Sequence, residues 1–305
     1  MTFIIDGRVM ELNYNSAAEL RAFLEKEGLG MRKKYGQNFL INPAVRRALI
    51  DALEAEPDAE LWEIGPGLGA MTGQLLEKGL SVRAFEIDPG FARILRELFG
   101  LRPRFTLIEG DVMKTWPSQP AASYLLGNLP YNIAAALIAD MAEKKRLFRR
   151  MVLTVQREVA LRMVARPGSA DYSSFSVLCS SVYTVKPLMI IRGASFYPRP
   201  NVDSQGLKLE LRKDIRPDAY PAVFYPLVRS LFASRRKMIK NNLRSFILSD
   251  IIKKGLVASN AGQAAAEDMA DEALAQSRIK GEERAEKLGL EAFVSLAKAV
   301  ENLRK

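Results

Sequence analysis

Short apolar runs and helix-like stretches alternate between residues 60 and 156, and this alternation limits the possible folds more than any other feature. Five runs read as strands: ELWEIG (60–65), SVRAFEI (81–87), RFTLIEG (104–110), SYLLGN (123–128) and MVLTVQ (151–156). Intervening stretches such as GAMTGQLLEKG have helical spacing and end at glycine. The pattern predicts an α/β fold with a doubly wound, mostly parallel sheet that binds its ligands at the carboxyl ends of the strands.

The chain after this alternation predicts an edge strand and then a separate helical domain. GLKLELR (206–212) alternates apolar and polar residues and is expected to close the sheet at its edge, before a linker rich in charge and proline. Helical patterns cover 226–248, 261–276 and 290–303, and another precedes the sheet at 16–28. We therefore expect a catalytic domain over residues 1–212, whose segment 1–45 closes the ligand pocket, and a small all-helical domain over 213–305.

The composition excludes several kinds of chemistry. Histidine is absent and Cys179 is the only cysteine, so intramolecular disulfides, Cys/His zinc sites and histidine acid/base catalysis are all excluded. No metal is expected. No apolar run approaches the roughly 18 to 20 residues of a membrane span, and the N-terminal residues carry acids where a secretory signal carries bases. We expect a soluble, cytoplasmic, monomeric protein that does not bind membranes.

The net charge of +10 is concentrated in the middle of the chain. Residues 1–142 have a net charge of −3, residues 143–254 of +15, and residues 255–305 of −2. A surplus confined to one stretch indicates a surface for a polyanion, of which nucleic acid is the first candidate. The predicted phosphate-contacting residues lie in EKKRLFRR and on the first C-terminal helix: Lys144, Lys145, Arg146, Arg149, Arg229, Arg236, Lys237, Lys240 and Arg244.

LWEIGPGLGAMTG (61–73) reads as a strand that enters a glycine-rich turn and a helix, as in nucleotide-cofactor sites. Gly65 and Gly67 let the backbone turn tightly and approach a ligand. The spacing also satisfies the dinucleotide fingerprint, so NAD and S-adenosylmethionine (SAM) compete. Pro66 removes a backbone N–H where a pyrophosphate would need one, which favours SAM. Glu86 at the end of the second strand and Asp111 after the third could hold ribose hydroxyls and the adenine amine, or cap the next helices.

An Asn-Leu-Pro-Tyr sequence interrupts the chain after the fourth strand, at residues 128–131. The simplest interpretation of this sequence is a turn, because Asn and Pro are common turn residues. In a SAM-binding sheet, however, methyl transfer to an exocyclic amine requires acceptors aimed at both N–H bonds, because the nitrogen lone pair is delocalised into the ring. The side-chain oxygen of Asn128 and the carbonyl of Leu129 or Pro130 could accept these bonds. Pro130 would keep the loop rigid, and Tyr131 offers a face on which a base can stack.

Successive motifs in this order resemble those of the small-subunit ribosomal RNA adenine N6,N6-dimethyltransferases of the KsgA type. They are KKYGQNFLINP, EIGPGLGAMT, FEID, EGDVM, GNLPYNI, VQREVALRMVARPGSADY, FYPRPNVDS, FASRRKMIKNNL and ERAEKLGLEAFVSLA, and together they extend over about residues 16 to 300. The resemblance implies a SAM-dependent methyltransferase fold of the Rossmann-like type. It also implies transfer of two methyl groups to each of two neighbouring adenosines near the 3′ end of small-subunit rRNA, during subunit assembly.

The resemblance also implies roles for particular residues. SAM contacts fall on Asn38, Leu40, Gly65, Glu86, Asp111 and Asn128, and residues 128–131 form the catalytic loop. From spacing alone, the segment with Asn38 and Leu40 could equally be a helix cap. Phe196 and Tyr197 could stack on the far face of an extruded adenine, or form an ordinary packed aromatic pair.

Four positions depart from the family's pattern: Ser173, Ser174, Arg199 and Asn201. They affect the expected RNA side and leave the cofactor side intact. Three other functions remain open at the level of sequence: a large-subunit rRNA adenine methylase of the erythromycin-resistance type, a non-catalytic ribosome-assembly factor on the same scaffold, and an NAD-dependent oxidoreductase.

Overall fold

The computed structural model describes residues 2–5, 8–31, 37–129, 131–214, 220–253 and 260–304. The strands are β1 (Thr2–Ile5), β2 (Arg8–Glu11), β3 (Phe39–Leu40), β4 (Glu60–Ile64), β5 (Ser81–Glu86), β6 (Phe105–Glu109), β7 (Tyr124–Asn128), β8 (Arg150–Gln156), β9 (Tyr183–Ile191), β10 (Phe196–Tyr197) and β11 (Ser204–Leu211). The helices are α1 (Ala17–Lys26), α2 (Pro43–Asp51), α3 (Thr72–Glu77), α4 (Pro89–Phe99), α5 (Val112–Thr115), α6 (Tyr131–Glu143), α7 (Arg157–Val164), α8 (Ser174–Val182), α9 (Phe224–Leu231), α10 (Ile239–Lys253), α11 (Asn260–Ser277) and α12 (Leu290–Leu303).

The main sheet has seven strands in the order β6-β5-β4-β7-β8-β11-β9. The five predicted strands, β4 to β8, pair in parallel, and β11 pairs antiparallel with β8. This confirms the predicted fold class. Leu125 and Leu126 are both fully buried although they face opposite sides of β7, because a sheet covered on both faces buries both sets of side chains.

The predicted edge strand does not lie at the edge of the sheet. GLKLELR falls in β11, which lies between β8 and β9, and β9 is the edge strand. Strand β9 was not predicted because YTVKPLMII contains Pro187 and does not alternate regularly. Proline cannot donate to the ladder and is therefore confined to edges and strand ends, which fits this position.

A two-stranded pairing connects two of the motifs. In it, Leu40 of β3 lies opposite Phe196 of β10, and Phe39 lies opposite Tyr197. The backbone N–H of Ile41 also donates to the carbonyl of Ser195 at 2.8 Å. This pairing fixes residues 39–41 against residues 195–197 before α2 begins.

The chain divides into two compact units. The sheet unit comprises residues 1–137, 146–160 and 185–211, and the helical unit comprises 138–145, 161–184 and 212–305. The helical unit therefore takes in two segments that lie before the boundary predicted at 212/213. Each unit has its own core: Leu61, Val82 and Tyr124 are buried in the first, and Phe224, Leu243 and Phe293 in the second.

The predicted helix over 226–248 is wrong as a single element. Two helices, α9 and α10, cover this stretch, and turns connect them over residues 232–238. The amide of Asn242 donates to the carbonyls of Leu231 and Ser234, at 2.8 and 3.2 Å. The N–H of Ile239 donates to the carbonyl of Glu283 at 2.7 Å. These contacts satisfy the end of α9 and the start of α10 with groups that a continuous helix would not use.

None of the helices in the described ranges is long and apolar enough to cross a membrane.

Candidate active site

An open cavity of about 250 Å³ lies at the carboxyl ends of β4, β5, β6 and β7. Its walls come from the turns that follow these strands and from the segment around β3, all within the sheet unit. Every residue predicted to contact SAM lines it: Asn38, Leu40, Gly65, Gly67, Glu86, Asp111 and Asn128. The fold thus brings the predicted cofactor residues together at the predicted edge of the sheet.

The glycine-rich turn after β4 forms the floor of the cavity. Gly65 has a φ of +69° and Gly67 a φ of +59°, in the left-handed region that favours glycine. A Cβ at Gly67 would lie 3.0 Å from the Phe39 ring, whereas a Cβ at Gly65 would meet nothing closer than the Asn128 carbonyl at 3.9 Å. Gly67 therefore allows the ring of Phe39 to pack against the turn, and Gly65 keeps the backbone open to a ligand.

Glu86 ends β5 as a buried carboxylate, only 4% exposed. Its Oε1 accepts from the N–H of Asp88 at 2.8 Å, and its Oε2 accepts from the N–H of Gly67 at 3.2 Å. Burial raises the pKa of Glu86 to about 7, while these backbone donors act in the opposite direction. Asp88, two residues on, is the cap of α4. Glu86 is therefore free of the helix-capping role and is held by main-chain groups beside the glycine turn.

Asp111 both lines the cavity and caps a helix. Its Oδ1 accepts from the N–H of Met113 at 2.9 Å, at the start of α5. The helix-cap interpretation of Asp111 is therefore confirmed, and its contact with the adenine amine stays a prediction. A carboxylate has two oxygens and can cap with one while the other faces a ligand.

Asn128 ends β7 at the cavity wall, and its amide is oriented by one hydrogen bond. Its Nδ2 donates one of its two N–H bonds to the carbonyl of Asn38 at 3.2 Å, which orients the amide and sets the position of the acceptor Oδ1. The N–H of Leu129 donates to the carbonyl of Thr154 at 2.9 Å, so the Asn128–Leu129 peptide is fixed as well. Pro130 and the side chain of Tyr131 lie outside the described residues.

The segment before α2 combines cap and cavity wall, in different residues. Asn42 is the helix cap, since its side chain accepts from the N–H groups of Ala44 and Val45 at 3.0 and 3.2 Å. Asn38 and Leu40 instead line the cavity. The structure therefore assigns the helix-cap interpretation to Asn42 and leaves the other two to the pocket.

The two residues of the predicted aromatic stacking pair differ in their exposure. Phe196 is 4% exposed and packs in the same core as Leu40 and Leu49, so in this structure it has no face available to a base. This corrects the expectation for Phe196, because the β3–β10 pairing turns its ring into the core. Tyr197 is half-buried and remains the candidate of the two.

The chain matches a model of the ribosomal RNA adenine dimethylase family over residues 28–279. The chain belongs to this family. Its relatives include "Ribosomal RNA small subunit methyltransferase A" of Treponema denticola, 42% identical over 95% of this chain and 97% of the relative. The protein of the same name from Borreliella afzelii is 42% identical over 80% of this chain and 86% of the relative.

Two solved structures share the fold of this ribosomal RNA adenine dimethylase. A dimethyladenosine transferase from Plasmodium falciparum superimposes with a TM-score of 0.68 at 24% identity, covering 86% of this chain and 97% of that one. The 23S rRNA methyltransferase ErmE superimposes with a TM-score of 0.57 at 20% identity, covering 86% and 99%. The family membership confirms the prediction of a SAM-dependent rRNA methyltransferase.

SAM fits the residues that this dimethylase presents. The open backbone at Gly65, the Glu86 carboxylate for hydroxyl groups and the exposed Ile87 beside it, 40% accessible, suit an adenosine moiety. No group of three or more His, Cys, Asp or Glu residues that could hold a metal ion occurs in the described part of the chain.

Several residues that line the pocket of the dimethylase were missed by sequence reasoning. They are Tyr14, Gln37, Arg46 and Ile87. Gln37 lies inside the quoted GQNFL motif and Ile87 directly follows Glu86, so their positions could have indicated them. Tyr14 and Arg46 gave no sequence signal, because one precedes α1 and the other is an ordinary position within α2.

A second buried acid lies close to Glu86 in the sheet of the dimethylase. Glu63 of β4 has no exposed surface, and the Thr72 hydroxyl donates to its Oε2 at 2.6 Å. Its Oε1 has no hydrogen-bond partner among the described residues. Burial raises the pKa of Glu63 to about 7, and the charge of Glu86 acts in the same direction.

Most of the predicted phosphate-contacting residues of the dimethylase already have partners. In the helical unit, Arg229 pairs with Glu143 at 2.5 Å, Arg244 with Glu267 at 2.7 Å, Lys240 with Glu282 at 3.9 Å and Lys144 with Asp140 at 2.9 Å. In the sheet unit, Arg149 pairs with Glu56 at 2.5 Å, and Arg146 donates to the carbonyl of Pro117 at 2.8 Å. By contrast, Lys145, Arg236 and Lys237 are exposed, and Arg236 and Lys237 lie in the turns between α9 and α10.

Proposed function

We propose that this protein transfers methyl groups from SAM to the N6 atoms of two adjacent adenosines near the 3′ end of small-subunit rRNA. The product would be N6,N6-dimethyladenosine, formed during assembly of the subunit. Two observations support the proposal. The Treponema denticola relative that carries the small-subunit name matches this chain almost end to end. The orientation of Asn128 suits amine methylation.

Asn128 is the residue whose geometry supports amine methylation. One N–H of its amide donates to the Asn38 carbonyl and orients the group, so Oδ1 would be the atom that accepts a hydrogen bond from an amino group in the cavity. A main-chain carbonyl of residues 129–130 would accept from the second N–H of that amine. Together the two acceptors would draw the nitrogen out of conjugation with the ring and direct its lone pair at the methyl group.

The cofactor side of the pocket would bind and orient. Bound SAM supplies an activated methyl group on a positively charged sulfur. Glu86 would accept hydrogen bonds from the ribose hydroxyls, and Asp111 from the adenine amine, while Gly65 allows close approach of the backbone. The methylated nitrogen is strongly acidic, so water can take its proton and no histidine is needed.

On the substrate side, Tyr131 and Tyr197 are the proposed stacking residues for the extruded adenine. Lys144, Lys145, Arg146, Arg149, Arg229, Arg236, Lys237, Lys240 and Arg244 are the proposed phosphate contacts. The substrate would be small-subunit rRNA, free or within a partly assembled subunit, the enzyme would act as a monomer, and the reaction would take place in the cytoplasm.

Mass analysis of rRNA tests the proposal. Small-subunit RNA and assembly intermediates that lack dimethyladenosine are incubated with the protein and isotopically labelled SAM, with large-subunit RNA in parallel. We expect label in two adjacent dimethyladenosines of the small-subunit RNA alone. Label in large-subunit RNA would favour the erythromycin-resistance type instead, and RNA binding without any label would favour a non-catalytic assembly factor.

A further inference from the structure

Arg46 is a buried cation in the wall of the cofactor pocket. It lies in α2, is 3% exposed and lines the cavity. Its Nη1 donates to the carbonyl of Leu40 at 2.6 Å, and its Nη2 donates to the Oδ1 of Asn15 at 2.5 Å. No carboxylate of a described residue forms an ion pair with it, and its Nε has no hydrogen-bond partner among those residues.

Burial of this charge lowers the stability of the folded protein unless a ligand compensates it. A buried guanidinium without a counter-ion loses its hydration, and a well-packed aliphatic side chain at the same place would often be neutral or more stable. Burial lowers the pKa of Arg46, which reflects this cost. The three acceptors are the carbonyls of Leu40 and Tyr14, the latter at 3.5 Å, and the Oδ1 of Asn15. They use only part of the five N–H donors and neutralise none of the charge.

The charges of the pocket are arranged unevenly. The acids lie on one side of the glycine turn, where Glu86 ends β5 and Asp111 follows β6. Arg46 is hydrogen-bonded to Leu40, in the segment that also contacts Asn128 at the end of β7, on the other side. A ligand that fits this pattern places hydroxyl and amine donors toward the acids and a negative group toward Arg46. SAM has such a group in the α-carboxylate of its amino-acid part.

We propose that Arg46 recognises this α-carboxylate and so selects the intact cofactor over analogues that lack it. The inference rests on the SAM site of the proposed function. The carboxylate would supply the missing counter-charge in a site of low dielectric, where an ion pair is far stronger than in water. The demethylated product, S-adenosylhomocysteine (SAH), carries the same carboxylate and would be bound by the same contact.

Isothermal titration with two ligands tests the proposal without any methyl transfer. The ligands are SAH and decarboxylated SAH, which retains the adenosine, the sulfur and the amine. We expect Arg46→Met to weaken SAH binding about tenfold or more, as loss of a charged contact does, and to change binding of the decarboxylated ligand less than about twofold. Arg46→Lys should restore part of the preference. Arg47→Met, at the exposed neighbouring position in α2, should change neither affinity.

The other possible roles of Arg46 would give different patterns of affinity for the two ligands. Equal weakening of both ligands by Arg46→Met would show that Arg46 only ties residues 14–15 and 40 to α2, and would overturn the proposal, as would unchanged affinities. If Arg46→Met does not fold, judged from its melting curve, Arg46→Gln is used, which keeps a donor for the Leu40 carbonyl but no charge. Failure of the unmodified protein to bind SAH would overturn the proposed function itself, whereas SAH binding without selectivity at Arg46 overturns this inference alone.

Discussion

The cofactor pocket and the basic residues of the helical unit are held in place in different ways. In the pocket, Glu86 and Asn128 are fixed by main-chain groups, through Gly67, Asp88 and Asn38. In the helical unit, Arg229 and Arg244 are fixed by exposed carboxylates at 2.5 and 2.7 Å. Bonds to the backbone follow from the fold, whereas surface ion pairs exchange readily with solvent and contribute little.

Of the two sites, the cofactor pocket is the preorganised one. The polar side chains of the pocket are already held by main-chain groups, so the proposed ligand contacts would cost little reorganisation on binding. The paired arginines would have to give up a carboxylate before they contact a phosphate. We therefore expect substitutions in the pocket to have large, residue-specific effects, and substitutions of the basic residues to have small effects that depend on salt and on pairing.

The largest effect is expected for Asn128→Ala. Loss of the side-chain acceptor should reduce methyl transfer by about a thousandfold, toward the uncatalysed background, because the amine would no longer be aligned. SAH affinity should fall less than about fivefold. Initial rates of methyl incorporation and titration calorimetry measure the two quantities. Asn302→Ala, at an exposed position in α12, is the matched control and should behave as the unmodified protein.

A loss of SAH affinity in Asn128→Ala as large as the loss of rate would contradict this prediction. It would mean that the Nδ2 bond to the Asn38 carbonyl mainly holds the pocket closed. The catalytic interpretation of Asn128 would then have no support from its geometry.

The second-largest effect is expected for Glu86→Ala, which should reduce cofactor affinity where Asn128→Ala mainly reduces the rate. Removal of a charged acceptor for two hydroxyls should weaken SAH binding about a hundredfold. Because burial raises the pKa of Glu86 to about 7, the affinity of the unmodified protein should rise between pH 6 and pH 8, as the carboxyl group ionises. Titrations across this range measure both effects. A Glu86→Gln variant that retains the pH dependence would assign it to another group.

The sequence predicted the pocket residues at the strand ends and in the glycine turn, since these features determine where those side chains lie, but it did not predict Tyr14 or Arg46. Glu86 and Asn128 each end a strand of one parallel sheet and Asp111 follows another, so their convergence depends only on the fold class. Phe196 and the ion pairs of Arg229 and Arg244 depend instead on which segments meet across the fold. No local pattern encodes the pairing of β3 with β10, or the carboxylate that meets an arginine about 20 or 90 residues away along the chain.

The third effect concerns stability, at the buried Glu63. Its pKa is about 7 in the folded protein and 4.5 when the group is unperturbed. The folded state therefore retains a proton that the unfolded chain has lost between these values, and stability falls as pH rises from about 4.5 to 7. Glu63→Gln should remove the part of this decline that comes from Glu63, while the part from Glu86, whose pKa is also about 7, stays. The substitution should raise the melting temperature by several degrees at pH 8, with much less change at pH 5.

Melting curves of Glu63→Gln and of Glu77→Gln, an exposed acid in α3, separate this effect from the general titration of the chain. Glu77→Gln should leave the pH dependence unchanged. A Glu63→Gln variant that is destabilised equally at both pH values would indicate that the bond from Thr72 requires a carboxylate, and that the charge is tolerated in the core.

The smallest effect is expected for the basic residues, and it tests whether the pocket and the basic surface differ in preorganisation. The double variant Arg236→Ala/Lys237→Ala removes two exposed cations that form no ion pair with the described residues, and Arg229→Ala/Arg244→Ala removes two that are paired. We expect the first to weaken binding of a small-subunit rRNA fragment by about three- to tenfold at low salt. It should also reduce the slope of log affinity against log salt by about 1 to 2. The second should have less effect, because phosphate contact there must first displace Glu143, Glu267 or Asp271.

Fluorescence anisotropy over a range of salt concentrations measures these slopes, with melting temperatures to confirm folding. Equal losses in the two variants would show that the ion pairs open at no cost, and that the helical unit is as ready for its ligand as the pocket is. A flat salt response of the unmodified protein would remove the phosphate role from these residues altogether. The distinction between a preorganised pocket and an exchangeable basic surface therefore depends on a difference between two variants of equal charge.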